Sequence, residues 1–125
     1  KVQGVFSPGS HGSTFGGNPI VCAGALAVLK QMDAAFMQAV ADKGAMMKKA
    51  LLGMPGVAAV SGCGLMIGIS LAQGTAKEAA AKCLEKGLIV LTAKDKLRLL
   101  PPLNIAQEHI DAGLAILGQV LAELA

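Results

Sequence analysis

The stretch HGSTFGGNP, residues 11–19, holds the residue types best suited to binding an anion. Its glycines can adopt unusual backbone dihedral angles, and Ser13 and Thr14 add two hydroxyls ahead of the positive end of a helix dipole. Phosphate is the anion that suits this arrangement best. The stretch lacks the Gly-Lys-Ser/Thr ending of a Walker loop and does not fit GxGxxG. A glycine-rich turn, in which the hydroxyls only cap the backbone, is the alternative.

Arg98 is the second residue with the potential for chemistry, since it lies within the apolar run LRLL at residues 97–100. In a strand, its side chain points away from the face that carries Leu97 and Leu99. A guanidinium held on a rigid strand can bind a carboxylate through two hydrogen bonds. The alternative is an arginine that faces solvent near a sheet edge.

Other catalytic patterns are missing from the sequence. It has no HExxH motif, no metal-ligand cluster, no nucleophile elbow and no paired carboxylates at a fixed spacing. His11 has no Ser or Cys nucleophile in a recognisable setting, so a hydrogen-bonded loop residue is the simpler interpretation. These residues alone do not make a self-contained enzyme.

Composition limits the classes of protein and ligand. The 125 residues are 54% hydrophobic and 15% charged, which excludes disorder and predicts apolar surface that a partner covers. This length is typical of one compact domain.

A net charge of +3, scattered lysines and the absence of Tyr and Trp exclude a nucleic-acid binder. Cys22, Cys63 and Cys83 have no CxxC spacing, which favours buried thiols in a reducing cytosol.

The uncharged stretch at residues 50–76 is long enough to raise the question of a membrane span. Pro55 and six glycines within it favour turns and strands instead. The chain opens with Lys-Val-Gln, without the pattern of a signal peptide. We therefore expect a cytoplasmic protein that does not enter a membrane.

Two consecutive helices are predicted before residue 53. Asn18 can cap the first, and Pro19 at its first position loses no hydrogen bond, so a helix over 19–31 follows. Apolar residues recur along it at the spacing of one buried face. Asp33 can cap a second helix over 32–52, with a bend between the two.

The rest of the chain predicts an α+β architecture, with a short, mainly antiparallel sheet packed against helices. Two strands lie within residues 57–71 and join around 62–64, because β-branched residues alternate there with glycines. Thr75 and Glu78 have the spacing of a capping box, and Gly87 ends that helix. Two more strands are predicted at 88–92 and 96–100, and a final helix at 107–124.

Three ordered motifs carry a resemblance to a known family. They are FSPGSHGSTFGGNPIVCAGALAVL at 6–29, GCGLMIGISL at 62–71 and GLIVLTAKDKLRLLPPLNI at 87–105. Together they resemble the class III, fold-type I pyridoxal-phosphate aminotransferases over essentially the whole chain. The resemblance implies the small C-terminal domain of such an enzyme, with 1–18 as a segment near the cofactor and 19–52 as a helical lead-in. The large cofactor-binding domain is then absent.

The resemblance also implies roles for individual residues. Thr14 matches the threonine that reaches across a homodimer interface to the phosphate of pyridoxal 5′-phosphate in the neighbouring subunit. Ser13 matches a position that contacts the acylated substrate, and Arg98 matches the arginine that binds the α-carboxylate of the amino donor or of 2-oxoglutarate. The Schiff-base lysine is expected upstream, before Lys1, so no catalytic residue and no metal ligand lie in these 125 residues.

The activity that the resemblance implies is ping-pong transamination between N-acetylornithine and 2-oxoglutarate, a step of arginine biosynthesis. Ornithine, succinylornithine or 4-aminobutyrate are alternative donors, and a free-standing module that binds a phosphorylated metabolite is the alternative outside the family. Two departures from the family pattern stand out. Ala106 replaces the Thr or Ser that precedes the last helix, and the turn at Lys94-Asp95 lacks its usual glycine.

Overall fold

A computed structural model describes residues 4–5 and 7–125. Lys1, which begins the predicted segment near the cofactor, and Phe6, which begins the first motif, lie outside the described residues. Among the described residues the fold has four helices and four strands, as the α+β prediction requires. In chain order they are α1 (Pro19–Leu29), α2 (Ala34–Leu52), β1 (Val57–Cys63), β2 (Met66–Leu71), α3 (Ala76–Glu85), β3 (Leu91–Ala93), β4 (Lys96–Leu99) and α4 (Gln107–Leu124).

The strands form one antiparallel sheet in the order β1-β2-β4-β3. β4 therefore has a hydrogen-bonded neighbour on each side, although it is the last strand in sequence. The antiparallel pairing confirms the predicted sheet.

By its internal contacts the chain divides into two compact units, Lys1–Phe36 and Met37–Ala125. The length of the chain alone had suggested one. The first unit contains the glycine-rich loop and α1, whereas the second contains the sheet, α3, α4 and most of α2.

Short polar side chains start three of the helices at the predicted places. The Asn18 carboxamide oxygen accepts from the amides of Ile20 and Val21, both at 3.1 Å. Asp33 accepts from the Phe36 amide at 2.8 Å, and Thr75 accepts from the Glu78 amide at 3.1 Å. α4 begins after Ala106, which makes no side-chain cap bond. Because alanine stands where the family usually has Thr or Ser, this helix has no side-chain cap at its N-terminus.

The strands differ from the prediction mainly at their ends. β1 and β2 turn at Gly64-Leu65, slightly later than predicted. β3 begins only at Leu91, and residues 88–90 belong to no strand. Lys94, in the turn that lacks the usual glycine, takes a positive φ of 58°. This turn is tight enough to require the left-handed conformation that glycine would favour.

The core of the second unit lies between one face of the sheet and the helices. Ile67, Ile69 and Leu97 project from β2 and β4 and are fully buried. Val40, Met47 and Leu51 of α2 and Ile110, Leu117 and Leu121 of α4 are also buried, as the helical spacing predicted. The apolar spacing of α3 also predicts Leu84 on the buried face, but Leu84 is 62% exposed. Ala76, Ala79 and Cys83 form that face instead.

Only one of the three cysteines is buried, so the prediction of buried thiols is wrong for Cys22 and Cys63. Cys22 lies on a helix without buried residues, and Cys63 ends β1 on the turn side of the sheet. Burial raises the pKa of the Cys83 thiol, which keeps it protonated and unreactive.

Helix α1 has no buried residue, which corrects the prediction of a buried face from Ile20 to Leu29. Ile20 is 85% exposed, and Phe15 in the preceding loop is 75% exposed. The sequence PIVCAGALAVL has no charged residue, so the helix is apolar on every side. A helix of this kind is normally buried on all sides in a larger assembly. The spacing of its apolar residues predicted the helix correctly, but it could not indicate which part of a larger assembly buries that helix.

We expect the isolated 125-residue chain to self-associate, because α1 exposes apolar surface around its whole circumference. Sedimentation should show species larger than a monomer, and a hydrophobic dye should bind. The double variant Ile20→Glu, Leu29→Glu should reduce both signals. A monomeric wild-type chain that binds no dye would contradict this expectation.

Within the described part of the chain, no single helix has both the length and the apolarity to cross a membrane. α1 and α2 meet that test only when taken together across their bend, by length and composition alone. Strands β1 and β2 and the turn between them lie within the uncharged stretch at 50–76, as predicted.

Candidate functional site

Arg98 lies on an inner strand of the sheet. Its backbone pairs with Gly68 of β2 on one side and with Leu91 of β3 on the other. Leu97, the preceding residue, is fully buried on the opposite face, as strand alternation predicts. Arg98 is half-buried and its strand is not an edge strand. Its position disfavours the alternative interpretation, a solvent-facing arginine near a sheet edge.

The guanidinium of Arg98 has no partner among the described residues. Its Nε atom is buried and makes no hydrogen bond. None of the described residues forms an ion pair or a side-chain hydrogen bond with it. A buried donor without a partner costs free energy, and the cost is greater for a charged group. A ligand that supplied an anionic acceptor would remove this cost.

A cavity of about 270 Å³ lies beside Arg98. Its walls are almost entirely aliphatic, and Arg98 and His109 are the polar side chains among its lining residues. Apolar walls lower the local dielectric constant and strengthen an interaction between a guanidinium and a carboxylate. The other lining residues are Met47, Leu88, Ile89, Val90, Leu91, Leu99, Leu100, Pro101, Ile105, Ile110, Gly113, Leu114 and Leu117.

This arrangement suits a small molecule with an aliphatic body and a carboxylate. The planar fork of Arg98 can donate two parallel hydrogen bonds to the two carboxylate oxygens. The apolar walls can pack against the methylene groups. The chemistry that the second unit supports is therefore recognition and orientation of a carboxylic acid.

His109 was not identified from the sequence. It lies in the first turn of α4, with an exposed side chain whose Nε2 is 3.8 Å from Glu108 Oε1. His109 and its neighbour Ile110 both line the cavity, and Ile110 is also buried in the core. His109 and Arg98 line the same cavity from two different elements, and no local pattern in the sequence indicates this arrangement.

Ser13 and Thr14 lie side by side in the exposed loop of the first unit. Ser13 Oγ accepts a hydrogen bond from the Gly16 amide at 2.9 Å, so this hydroxyl caps a turn of its own loop. The Thr14 hydroxyl makes no hydrogen bond to any described residue. Of the two hydroxyls, that of Thr14 is the one open to an external acceptor.

The N-terminus of α1 offers no amide to an anion. Pro19 has no N–H, and Asn18 accepts from the amides of Ile20 and Val21. The next amide, that of Cys22, donates to the Asn18 carbonyl at 3.0 Å. All the amides that a helix N-terminus normally leaves open are satisfied within the chain. A phosphate site built on the end of this helix is therefore excluded.

The loop nevertheless fits a secondary contact to the phosphate of a cofactor. Residues 7–18 contain no Lys, Arg, Asp or Glu, so one neutral hydroxyl can approach an anion without repulsion but cannot anchor it. Thr14 has such a hydroxyl, and it is exposed. Arg98 belongs to the second unit, so the three predicted site residues divide into a loop pair and a cavity arginine.

The sequence also has recognisable relatives. The description Aminotransferase class-III matches residues 1–121. The acetylornithine aminotransferase of Haemophilus ducreyi is 44% identical over 99% of this chain, and the ornithine aminotransferase of Bordetella pertussis is 40% identical over 99%. The crystal structure of acetylornithine aminotransferase from Elizabethkingia anophelis superposes with a TM-score of 0.75, at 30% identity over 96% of this chain.

The chain spans only about a third of the length of these proteins: 32%, 31% and 34%, in the same order. The family match covers the glycine-rich loop, the sheet with Arg98 and nearly all of α4. The chain belongs to the class-III aminotransferase family.

Proposed function

We propose that this chain is the C-terminal part of a pyridoxal-phosphate-dependent transaminase that moves an amino group from N-acetylornithine to 2-oxoglutarate. The observation that carries the proposal is the unpaired guanidinium of Arg98 beside an apolar cavity. Both substrates of this reaction contain a carboxylate next to an aliphatic chain. A site of this kind suits each of them in turn.

The choice of acetylornithine rests on the relatives. A protein named acetylornithine aminotransferase is 44% identical to this chain over 125 residues, and another is 46% identical over 121. The ornithine aminotransferase of Bordetella pertussis, at 40% over 129 residues, supports ornithine as the second candidate donor. Because the chain spans about a third of these proteins, the upstream part must also be present for activity.

In the proposed reaction, this chain binds and orients substrates. Arg98 holds the carboxylate of the amino donor and, in the second half of the cycle, that of 2-oxoglutarate. The aliphatic walls of the cavity exclude water from this ion pair and strengthen it. Pyridoxal phosphate, when bound, supplies the carbonyl carbon that takes up the amino group and the ring that accepts electrons from the substrate.

Thr14 is proposed to donate a hydrogen bond to the cofactor phosphate held by a second subunit. Its hydroxyl is exposed and has no partner among the described residues, which a contact to another chain would explain. Ser13 is proposed to contact the acyl group of the substrate through its remaining O–H, since its oxygen already accepts from Gly16. The apolar circumference of α1 would then be covered by the large domain and the partner subunit.

A free-standing module that binds a phosphorylated metabolite is the weaker interpretation. In this interpretation Ser13 and Thr14 bind the phosphate. The amides at the start of α1 that could assist them are occupied by Asn18, and residues 7–18 contain no Lys or Arg. Titration of the isolated chain with inorganic phosphate is therefore expected to show no binding. Micromolar binding would favour this module over the transaminase.

The direct test of the proposed function is an assay of the full-length protein, including its upstream segment, with pyridoxal phosphate and 2-oxoglutarate. Glutamate formation is measured with acetylornithine, ornithine, succinylornithine and 4-aminobutyrate as donors. The largest kcat/KM should be found with acetylornithine. No glutamate with any of the four amines would refute the proposed function.

Replacing Thr14 tests the contact to the phosphate. In the full-length protein, Thr14→Val should raise the dissociation constant of pyridoxal phosphate by about 10-fold, the effect of losing one hydrogen bond to a charged acceptor. Thr14→Ser keeps the hydroxyl and should stay close to the wild-type value. Ser10→Ala is the control, because the Ser10 hydroxyl donates to the Ser7 carbonyl at 2.7 Å within the loop. Equal affinities for the Val and Ser variants would argue against the contact.

A further inference from the structure

Lys43 makes a hydrogen bond that links distant parts of the second unit. Its Nζ atom donates to the backbone carbonyl of Ile105 at 2.6 Å, in a half-buried setting. The two residues are 62 positions apart in sequence. Lys43 is therefore a long-range anchor between α2 and the segment that precedes α4.

The anchored segment, residues 100–106, has few backbone hydrogen bonds of its own. Pro101 and Pro102 have no N–H to donate. The Ile105 amide donates to the Pro102 carbonyl at 3.0 Å, which closes a short turn. The Ile105 carbonyl is directed to Lys43. The position of this segment relative to α2 thus depends strongly on one charged donor.

The same segment forms part of the cavity beside Arg98. It follows β4 directly, so Arg98 is only a few residues away along the chain. Pro101 and Ile105 both line the cavity, and so does Met47 of α2. Met47 lies one helical turn after Lys43, on the same side of the helix. Helix α2 therefore contributes a wall of the cavity and also holds another wall in place.

We propose that Lys43 is a positioning residue for the carboxylate site of Arg98. By holding the Ile105 carbonyl, it fixes the segment that closes the cavity, and so it presets the shape into which the substrate carboxylate binds. Lys43 does not contact the substrate in this account. The inference rests on the proposed function, because it assumes that Arg98 binds a carboxylic acid.

A charge-assisted hydrogen bond suits this role. An ammonium bonded to a carbonyl in a half-buried site is stronger than a neutral bond of the same geometry. Loss of the bond would let the segment sample other positions, and substrate binding would then have to restore the correct one. The free energy needed to reorder the segment weakens substrate binding, whereas the complex, once formed, is the same as in the wild type. Loss of the bond should therefore raise KM and leave kcat nearly constant.

The test uses the full-length enzyme and glutarate, an unreactive dicarboxylate that lacks the keto group of 2-oxoglutarate. Lys43→Met keeps the aliphatic stem and removes the donor. It should raise both the KM for 2-oxoglutarate and the dissociation constant of glutarate by about 3- to 10-fold, with kcat changed less than about 2-fold. Lys43→Arg restores a charged donor and should recover most of the loss. Lys43→Gln, with a shorter neutral donor, should fall between the two.

Lys49→Met is the matched control, because Lys49 is an exposed residue of the same helix with no hydrogen bond to the described residues. It removes the same charge without removing an anchor, so its KM should equal that of the wild type. An equal rise in Lys49→Met and Lys43→Met would overturn the proposal in favour of a general effect of charge. An unchanged KM in Lys43→Met, or a failure of Lys43→Arg to recover it, would also overturn it.

The glutarate measurements distinguish a failure of the Lys43 proposal from a failure of the proposed function. If wild-type enzyme binds glutarate and Arg98→Lys weakens that binding, the carboxylate site stands whatever Lys43 does. If glutarate does not bind the wild-type enzyme, the proposed function fails first.

Discussion

Arg98→Lys is expected to lower kcat/KM for 2-oxoglutarate by at least about 30-fold in the full-length enzyme. The substitution keeps the charge but loses the planar fork that binds two carboxylate oxygens together. Disrupting a desolvated, hydrogen-bonded charge pair costs about 2–5 kcal/mol, and each 1.4 kcal/mol corresponds to about 10-fold. Arg98→Met, which also removes the charge, should lose more. Steady-state kinetics with both substrates provides the measurement.

Lys96→Met is the control for Arg98. Lys96 lies on the same strand, two residues earlier, and its side chain leaves the same face of the sheet. It is not among the residues that line the cavity. We expect its kcat/KM to remain within about 3-fold of the wild-type value, as for surface substitutions away from a site. A loss in Lys96→Met as large as that in Arg98→Lys would mean that the general positive field, rather than the Arg98 fork, binds the carboxylate.

Gly44→Ala should produce the largest loss of stability. Gly44 is a buried residue of α2, and a Cβ added there would collide with the backbone carbonyl of Gly64 in the β1–β2 turn. Both groups belong to main chains, so neither can move aside without shifting α2 or the turn. We expect a loss of about 3 kcal/mol or more in the free energy of unfolding, at the upper end for an overpacked core. Urea unfolding of the 125-residue chain, followed by circular dichroism, measures it.

Gly24→Ala is the matched control, since Gly24 is also helical but an added Cβ would meet no atom within 4 Å. Alanine has a higher helix propensity than glycine by about 1 kcal/mol, so this variant should be as stable as the wild type or more so. If Gly44→Ala unfolds at the same urea concentration as Gly24→Ala, the close approach of α2 to the turn is incorrect. The wall that Met47 gives to the cavity would then be misplaced as well.

Much of the local structure could be predicted because short-range chemistry determines it. Asn18, Asp33 and Thr75 each accept a hydrogen bond from an amide two or three residues away, so the starts of three helices were visible in the sequence. Gly87 has the positive φ that its position after α3 suggested. The last helix was predicted at its observed bounds, because its apolar face is continuous from Ile110 to Leu121.

Long-range contacts could not be predicted in the same way. The pairing of Arg98 with Gly68 and Leu91 was not visible, so the sequence could not distinguish a cavity arginine from a surface one. The close approach of Gly44 to Gly64 joins α2 to the β1–β2 turn, and no local pattern indicates it. The hydrogen bond of Lys43 to Ile105 joins residues 62 positions apart, so no local pattern indicates it.

The exposure of α1 shows a different limit. Its apolar spacing predicted a buried face, and that inference assumed that the cover lies within these 125 residues. The same assumption applied to Cys22, which lies on this helix and is exposed. Hydrophobic periodicity indicates that one face of a helix is buried, but it does not indicate which chain or domain packs against that face.

The central claim is that one arginine, Arg98, binds the carboxylates of both substrates in turn. It is tested most directly by measuring the two half-reactions separately in the full-length enzyme with bound pyridoxal phosphate. The absorbance of the cofactor is followed first with acetylornithine alone, and then, after the amino group has been taken up, with 2-oxoglutarate alone. Arg98→Lys should weaken the apparent affinity for both substrates by similar factors. A loss confined to one half-reaction, or the absence of both half-reactions in the wild-type enzyme, would contradict the account.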